Sequence, residues 1–269
     1  MRLKSALRRG VAAAVIAGIV VSSGIPAYAA QWDIANGDIT VKAGDAEGTN
    51  RVTQGEKDVE DTDTVITGES KEHTVTIDTS GGDVDVTFDD LKIDVSDKDE
   101  AAVRVEGDHD ATIELDGKNE LKSGSYNAGL EKNGHESEGG TLTIKDDNGK
   151  DGSLTAEGGD GGGAGIGGGK ESTGSNITIR GGTVEAVGGS SAAGIGDGAY
   201  RASDDTDDPN PGKLYICGDA EVTAKAGSQI LDAKIPAIGG SYGEVPTEDL
   251  SNEEHKVTGG RLTLSLIHI

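Results

Sequence analysis

Two tyrosines and a short acidic run are the side chains of this 269-residue sequence best suited to binding chemistry. Asp204, Asp205, Asp207 and Asp208 precede Pro209-Asn210-Pro211-Gly212, so four carboxylates share one turn-rich loop. Calcium is a hard cation that takes several carboxylate oxygens at flexible spacing, and such a loop can supply them. EF-hand spacing is not met, because Pro209 occupies a required ligand position; a solvated charged loop is the alternative. Asp83, Asp85, Asp89 and Asp90 form a second acidic group around an expected strand. Tyr200 and Tyr242 follow Ile195 and Ile238 by five and four residues, at matching places in two similar segments, with Lys170 at that place one segment earlier. Two rings so placed would offer apolar faces for stacking on sugar, although surface-loop tyrosines often have no such role.

Glycine adds a third candidate. In Ala164-Gly165-Ile166-Gly167 and Ala193-Gly194-Ile195-Gly196, inward Ala and Ile would turn Gly165 and Gly194 outward. A strip almost without side chains lets a polymer approach the backbone closely; tight packing at a corner is the other reading. A nominal GxGxxG at Gly163, Gly165 and Gly168 leads into another strand, whereas a dinucleotide site needs a helix N-terminus there. A phosphate-binding P-loop is excluded as well, since Ala164 stands at its first Gly and Glu171 at its Ser/Thr. Gly162 replaces the Asp of calcium-binding β-roll repeats. Catalysis is poorly supported. Glycoside hydrolysis needs two carboxylates across a sugar, one of them protonated. The nearest approach to a Gly-His-Gly signature is Gly134-His135-Glu136, and Arg180 and Arg201 are the only obvious mid-chain arginines for a lyase. His73, His109, His135 and His255 lack metal-ligand spacing. The residues therefore read as non-catalytic.

Short alternating segments must position these groups. Ile177 and Ile179, Val184 and Ala186, then Ala193 and Ile195 alternate with Thr178, Arg180, Glu185 and Gly194, which predicts three half-buried strands separated by Gly-Gly turns. The pattern recurs from Thr141, Asn176, Lys213 and Lys256, with Ile144, Ile179, Ile216 and Val257 equivalent. Three strands in so few residues cannot close a compact domain. Stacked on their successors they predict an all-β, single-stranded, right-handed parallel β-helix. Upstream strands are expected at residues 39–41, 64–66, 74–77, 84–88, 91–95 and 102–105.

Composition agrees. Aromatic residues make up 3% of the chain, too few for a bulky core but not for narrow aliphatic ladders. A net charge of −25 opposes nucleic-acid binding, which needs a basic footprint. Arg2, Lys4, Arg8 and Arg9, the apolar run Val11–Val21 and Ala27-Tyr28-Ala29 read as a signal peptide over residues 1–29, exported by the general secretory route. Losing its four positive charges takes the net charge from −25 to −29, which strengthens the case for calcium. The mature chain carries no further stretch of membrane-spanning length, and Cys217, the single cysteine, is expected to be passive. Residues 30–70 are expected to form an N-terminal cap and first strands, and 71–264 the coils of the helix. Residues 264–269 resemble translated adapter sequence, so 265–269 are expected to be a non-native or truncated tail.

Trp32-Asp33-Ile34, the segments NGDITV, VTFDDLKIDVS and ELDGKNELKSG, and the repeated AGIG motif together resemble secreted β-helical proteins of gut bacteria, often described as containing carbohydrate-binding domains. The resemblance covers most of the mature chain. It implies a right-handed β-helix, an extracellular or cell-surface location and polysaccharide as partner, sometimes with calcium. It identifies no particular glycan, because the matching residues belong to ladders and turns. A structural stalk or adhesin segment is the alternative function, and a polysaccharide lyase or hydrolase the third.

Overall fold

The computed structural model describes residues 28–134, 139–149, 151–174, 176–199, 213–228, 237–239, 255–258 and 261–265. These residues are all-β, with a 3-10 turn at Ile34–Asn36. Alternating burial makes the strands. In β8 (Ala111–Asp116), Ala111, Ile113 and Leu115 are fully buried while Thr112, Glu114 and Asp116 remain partly exposed.

The chain enters through β1 (Tyr28–Asp33), β2 (Ile39–Ala43), β3 (Asn50–Gln54) and β4 (Lys57–Ser70). Here β3 pairs antiparallel with both β2 and β4, while β1 and β4 run parallel. Trp32 is buried against this junction and donates from Nε1 to Asp61 Oδ2 at 2.6 Å; Asp61 Oδ1 accepts from the amides of Ala30 and Asp63.

Parallel pairing then takes over in β5 (Val75–Asp78), β6 (Val84–Asp94), β7 (Val103–Glu106), β8 and β9 (Lys118–Lys122). The two strands expected at 84–88 and 91–95 are one, β6. Asp90 takes a left-handed φ of 52° and turns the strand without ending it. Its Oδ1 accepts the Lys118 amide, and Asn119 Oδ1 accepts that of Leu91.

The remaining strands come in threes: β10 (Leu130–Lys132), β11 (Leu142–Lys145), β12 (Ser153–Glu157); β13 (Ile166–Gly167), β14 (Ile177–Ile179), β15 (Thr183–Val187); β16 (Ile195–Gly196), β17 (Leu214–Cys217), β18 (Glu221–Lys225); β19 (Ile238–Gly239), β20 (His255–Thr258), β21 (Arg261–Ser265). Each of β10 to β18 pairs in parallel with the strand three places later. Ile144, Ile179, Ile216 and Val257 consequently stand in one register, as do Leu154, Val184 and Val222. The core follows these rows and is almost entirely aliphatic, each buried Ile, Leu or Val contributing about 1.5–3 kcal/mol.

Candidate functional site: the Tyr126 corner

Of the residues singled out from sequence, Tyr200, Tyr242, Asp204, Asp205, Asp207 and Asp208 lie outside the described residues. Gly165 and Gly194 are described, and both are buried, which supports tight packing at a corner over an open outward strip. A Cβ on Gly165 would lie 2.5 Å from Val187 N and 2.6 Å from Gly194 O; one on Gly194 would lie 2.6 Å from Lys225 N. Each glycine therefore sits against the end of a strand in the following turn of chain. Close backbone packing, not an open face, is what requires glycine here. Asp83 accepts the Asp110 amide, and among the described residues no group of three His, Cys, Asp or Glu side chains could hold a metal ion.

Among the described residues, an exposed aromatic ring and several polar groups lie together beside β10. Ser123, buried after β9, accepts the Ala102 amide at 2.8 Å and donates to Ala128 O at 2.7 Å, fixing both ends of the intervening loop. Within it, Asn127 N donates to Gly124 O, closing a turn whose third residue, Tyr126, has φ 72°. A turn with positive φ at that position favours Gly or Asn, and a bulky residue there is strained by about 1–3 kcal/mol. The turn Gly189–Ala192 repeats the arrangement with Ser191 at φ 61°. The backbone does not need an aromatic ring to make this turn. Yet Tyr126 is 48% exposed, the one large apolar side chain so exposed among the described residues.

Polar groups surround the ring. Lys170 N donates to Tyr126 O at 2.6 Å, and Lys170 Nζ lies 4.6 Å from the ring centroid. On the other side, Arg104 Nη2 donates to Asn127 Oδ1 at 3.3 Å and Arg104 Nε lies 3.0 Å from Glu131 Oε1. Glu131 is almost fully buried and also accepts from Ala128 N and Asn133 Nδ2; Asn133 Oδ1 in turn accepts Gly169 N. The buried carboxylate thus holds Arg104 at the surface while the loop carries Tyr126 beside it. Tyr126 is not singled out from sequence because its segment, Ala111 to Leu130, is a more charged copy of the repeat in which the tyrosine precedes Leu130 rather than following it. Its signal was the match of Gly124-Ser125-Tyr126-Asn127-Ala128-Gly129-Leu130 with Gly189-Ser190-Ser191-Ala192-Ala193-Gly194-Ile195.

A shallow groove of about 260 Å3 crosses the outer face of β4, β6, β9 and β12. In register across it run Glu69, Lys92, Glu120 and Thr155, and beside them Asp94, Lys122 and Glu157. Lys118 lies 2.5 Å from Glu120, whose carboxyl it holds below the usual range, and Lys122 lies 3.8 Å from Glu157. The groove is thus lined by three lysines and four carboxylates.

Two titratable groups are perturbed by burial. Lys132 Nζ is buried with no hydrogen-bond partner among the described residues, and desolvation lowers its pKa. Asp116 is pushed up by desolvation, then by the charges of Asp151, Asp146 and Asp90. Among the described residues no helix is long and apolar enough to cross a membrane. Comparison with protein-family models, curated proteins and solved structures finds no match to the chain.

Proposed function

We propose that the chain is a secreted or cell-surface, non-catalytic right-handed parallel β-helix that binds extracellular polysaccharide through the Tyr126 corner. The coil reading rests on the parallel pairing of each of β10 to β18 with the strand three places later. Its handedness follows from the strong preference of parallel crossovers for the right-handed path. Export rests on the charged and apolar pattern of residues 1–29.

The single observation that carries the binding reading is Tyr126: an exposed ring on a strained turn that Ser191 builds equally well, bordered by Arg104, Asn127 and Lys170. Sugar rings present apolar C–H faces and peripheral hydroxyls, and an aromatic ring edged by donors and acceptors matches both. The test is retention of the protein on a panel of insoluble glycans, with and without calcium, while soluble products are measured. Retention without product formation, lost in Tyr126→Ala, is expected. Product formation would make the protein an enzyme, and no retention on any glycan would remove the binding reading.

A structural stalk or adhesin segment is the second reading. It is favoured by the groove on β4, β6, β9 and β12, which is lined by cations and carboxylates side by side, with Lys122 beside Glu157. Small-angle scattering from a rod is expected under both readings, whereas a compact particle would contradict the coil.

A further inference from the structure

The polar groups at the Tyr126 corner are cationic on both sides, although the chain as a whole carries −25. Arg104 stands on β7, Tyr126 and Asn127 on the loop before β10, and Lys170 just after β13. Leu130 pairs with Val103 on one side and Ile166 on the other, so the three groups occupy successive layers of one ladder. Two strand spacings separate the outer layers, roughly 10 Å, the length of a short saccharide segment.

We propose, building on the glycan-binding reading, that this row recognises an acidic polysaccharide, with uronate carboxylates on Arg104 and Lys170 and a sugar face on Tyr126. Glu131 uses Arg104 Nε and Asn127 uses Nη2; neither contact uses Nη1, and the side chain is 45% exposed. A guanidinium anchored in this way keeps donors for a carboxylate, in the planar geometry Arg provides and Lys does not. Lys170 is 40% exposed, with its ammonium 3.9 Å from Glu171 and over the Tyr126 ring, contacts loose enough for a ligand carboxylate to replace. Glu131 does not repel the ligand as a free surface carboxylate would, because it is buried and accepts from three groups. At physiological ionic strength the rest of the acidic surface is screened beyond about 8 Å.

The experiment compares retention of the full chain on polygalacturonate, dextran sulfate and neutral dextran, for wild type, Arg104→Lys, Lys170→Gln and Tyr126→Ala. Preference for polygalacturonate is expected, weakened about tenfold by Arg104→Lys or Lys170→Gln, the loss of one charge-assisted hydrogen bond. Melting temperatures are measured alongside, and if Arg104→Lys is unstable, Lys170→Gln decides, since its contacts lie at the surface. Equal retention on neutral dextran, insensitive to both cation variants but lost in Tyr126→Ala, overturns the uronate assignment and leaves glycan binding standing. Preference for dextran sulfate likewise overturns the carboxylate assignment. Retention on none of the three, nor on any glycan of the panel, overturns both readings.

Discussion

Glu131 and Lys132 are consecutive residues of β10, each 2% exposed, and among the described residues only Glu131 of the two has hydrogen-bond partners for its side chain. The alternation of a strand separates them. Glu131 lies opposite Arg104 on the outer side, where its carboxylate organises the Tyr126 corner. Lys132 lies opposite Val105, a core residue.

An unpartnered buried ammonium destabilises the fold, so Lys132→Met is expected to stabilise it by about 1–3 kcal/mol at neutral pH. The pH dependence has a definite sign. Burial lowers the folded pKa of Lys132, so the unfolded chain binds more protons between that value and the unperturbed one near ~10.4. Wild-type stability should therefore gain a contribution as pH rises through that window, and Lys132→Met should lose this slope. Urea unfolding at several pH values measures both.

Asp116 gives the opposite slope. Its folded pKa is raised by burial and then by Asp151, Asp146 and Asp90. The folded chain binds more protons above the unfolded pKa, so stability falls as pH rises through the folded one. Asp116→Asn should be more stable than wild type at pH 7 and flatter between pH 4 and neutral. Melting curves across that range are the check.

Gly165→Ala and Gly194→Ala should each destabilise by about 1–3 kcal/mol, because the new methyl meets backbone that cannot move aside. Gly81→Ala is the control: a Cβ there meets nothing within 4 Å, and the change should stay within about 0.5 kcal/mol. Equal losses at all three would mean that the close approach at Gly165 and Gly194 is not what demands glycine. Denaturant midpoints decide.

Ile179 is fully buried between Ile144 and Ile216, so Ile179→Ala should cost about 2–5 kcal/mol. Thr178, on the opposite face of β14, should tolerate Ala with a change near 0.5 kcal/mol. Calorimetric unfolding of the pair tests whether the aliphatic rows carry the fold.

Period-two alternation makes the strands readable in the sequence. It placed Ile179, Val184 and Ile195 inward, and they are buried. What alternation could not supply was the third dimension at corners. It turned Gly165 outward from Ile166, but a residue facing away from one strand can still be covered by the next turn of chain, as Val187 covers Gly165. It also split β6, because Asp89 and Asp90 both lie off the core and interrupt the alternation, while Asp90 in the left-handed conformation bends the strand without ending it. Tyr126 was hidden for a related reason. Its exposure depends on the Gly124–Asn127 turn, and Ser125-Tyr126-Asn127 reads as an ordinary loop until set against Ser190-Ser191-Ala192.

The most direct test of polysaccharide binding at this corner is a titration of ring-labelled protein with oligogalacturonate, followed by NMR, with the Tyr126 signal assigned through Tyr126→Phe. A saturable shift of the Tyr126 ring, absent with neutral dextran oligomers, is the predicted result. A Tyr126 signal that stays fixed while the protein binds the oligosaccharide would contradict the account.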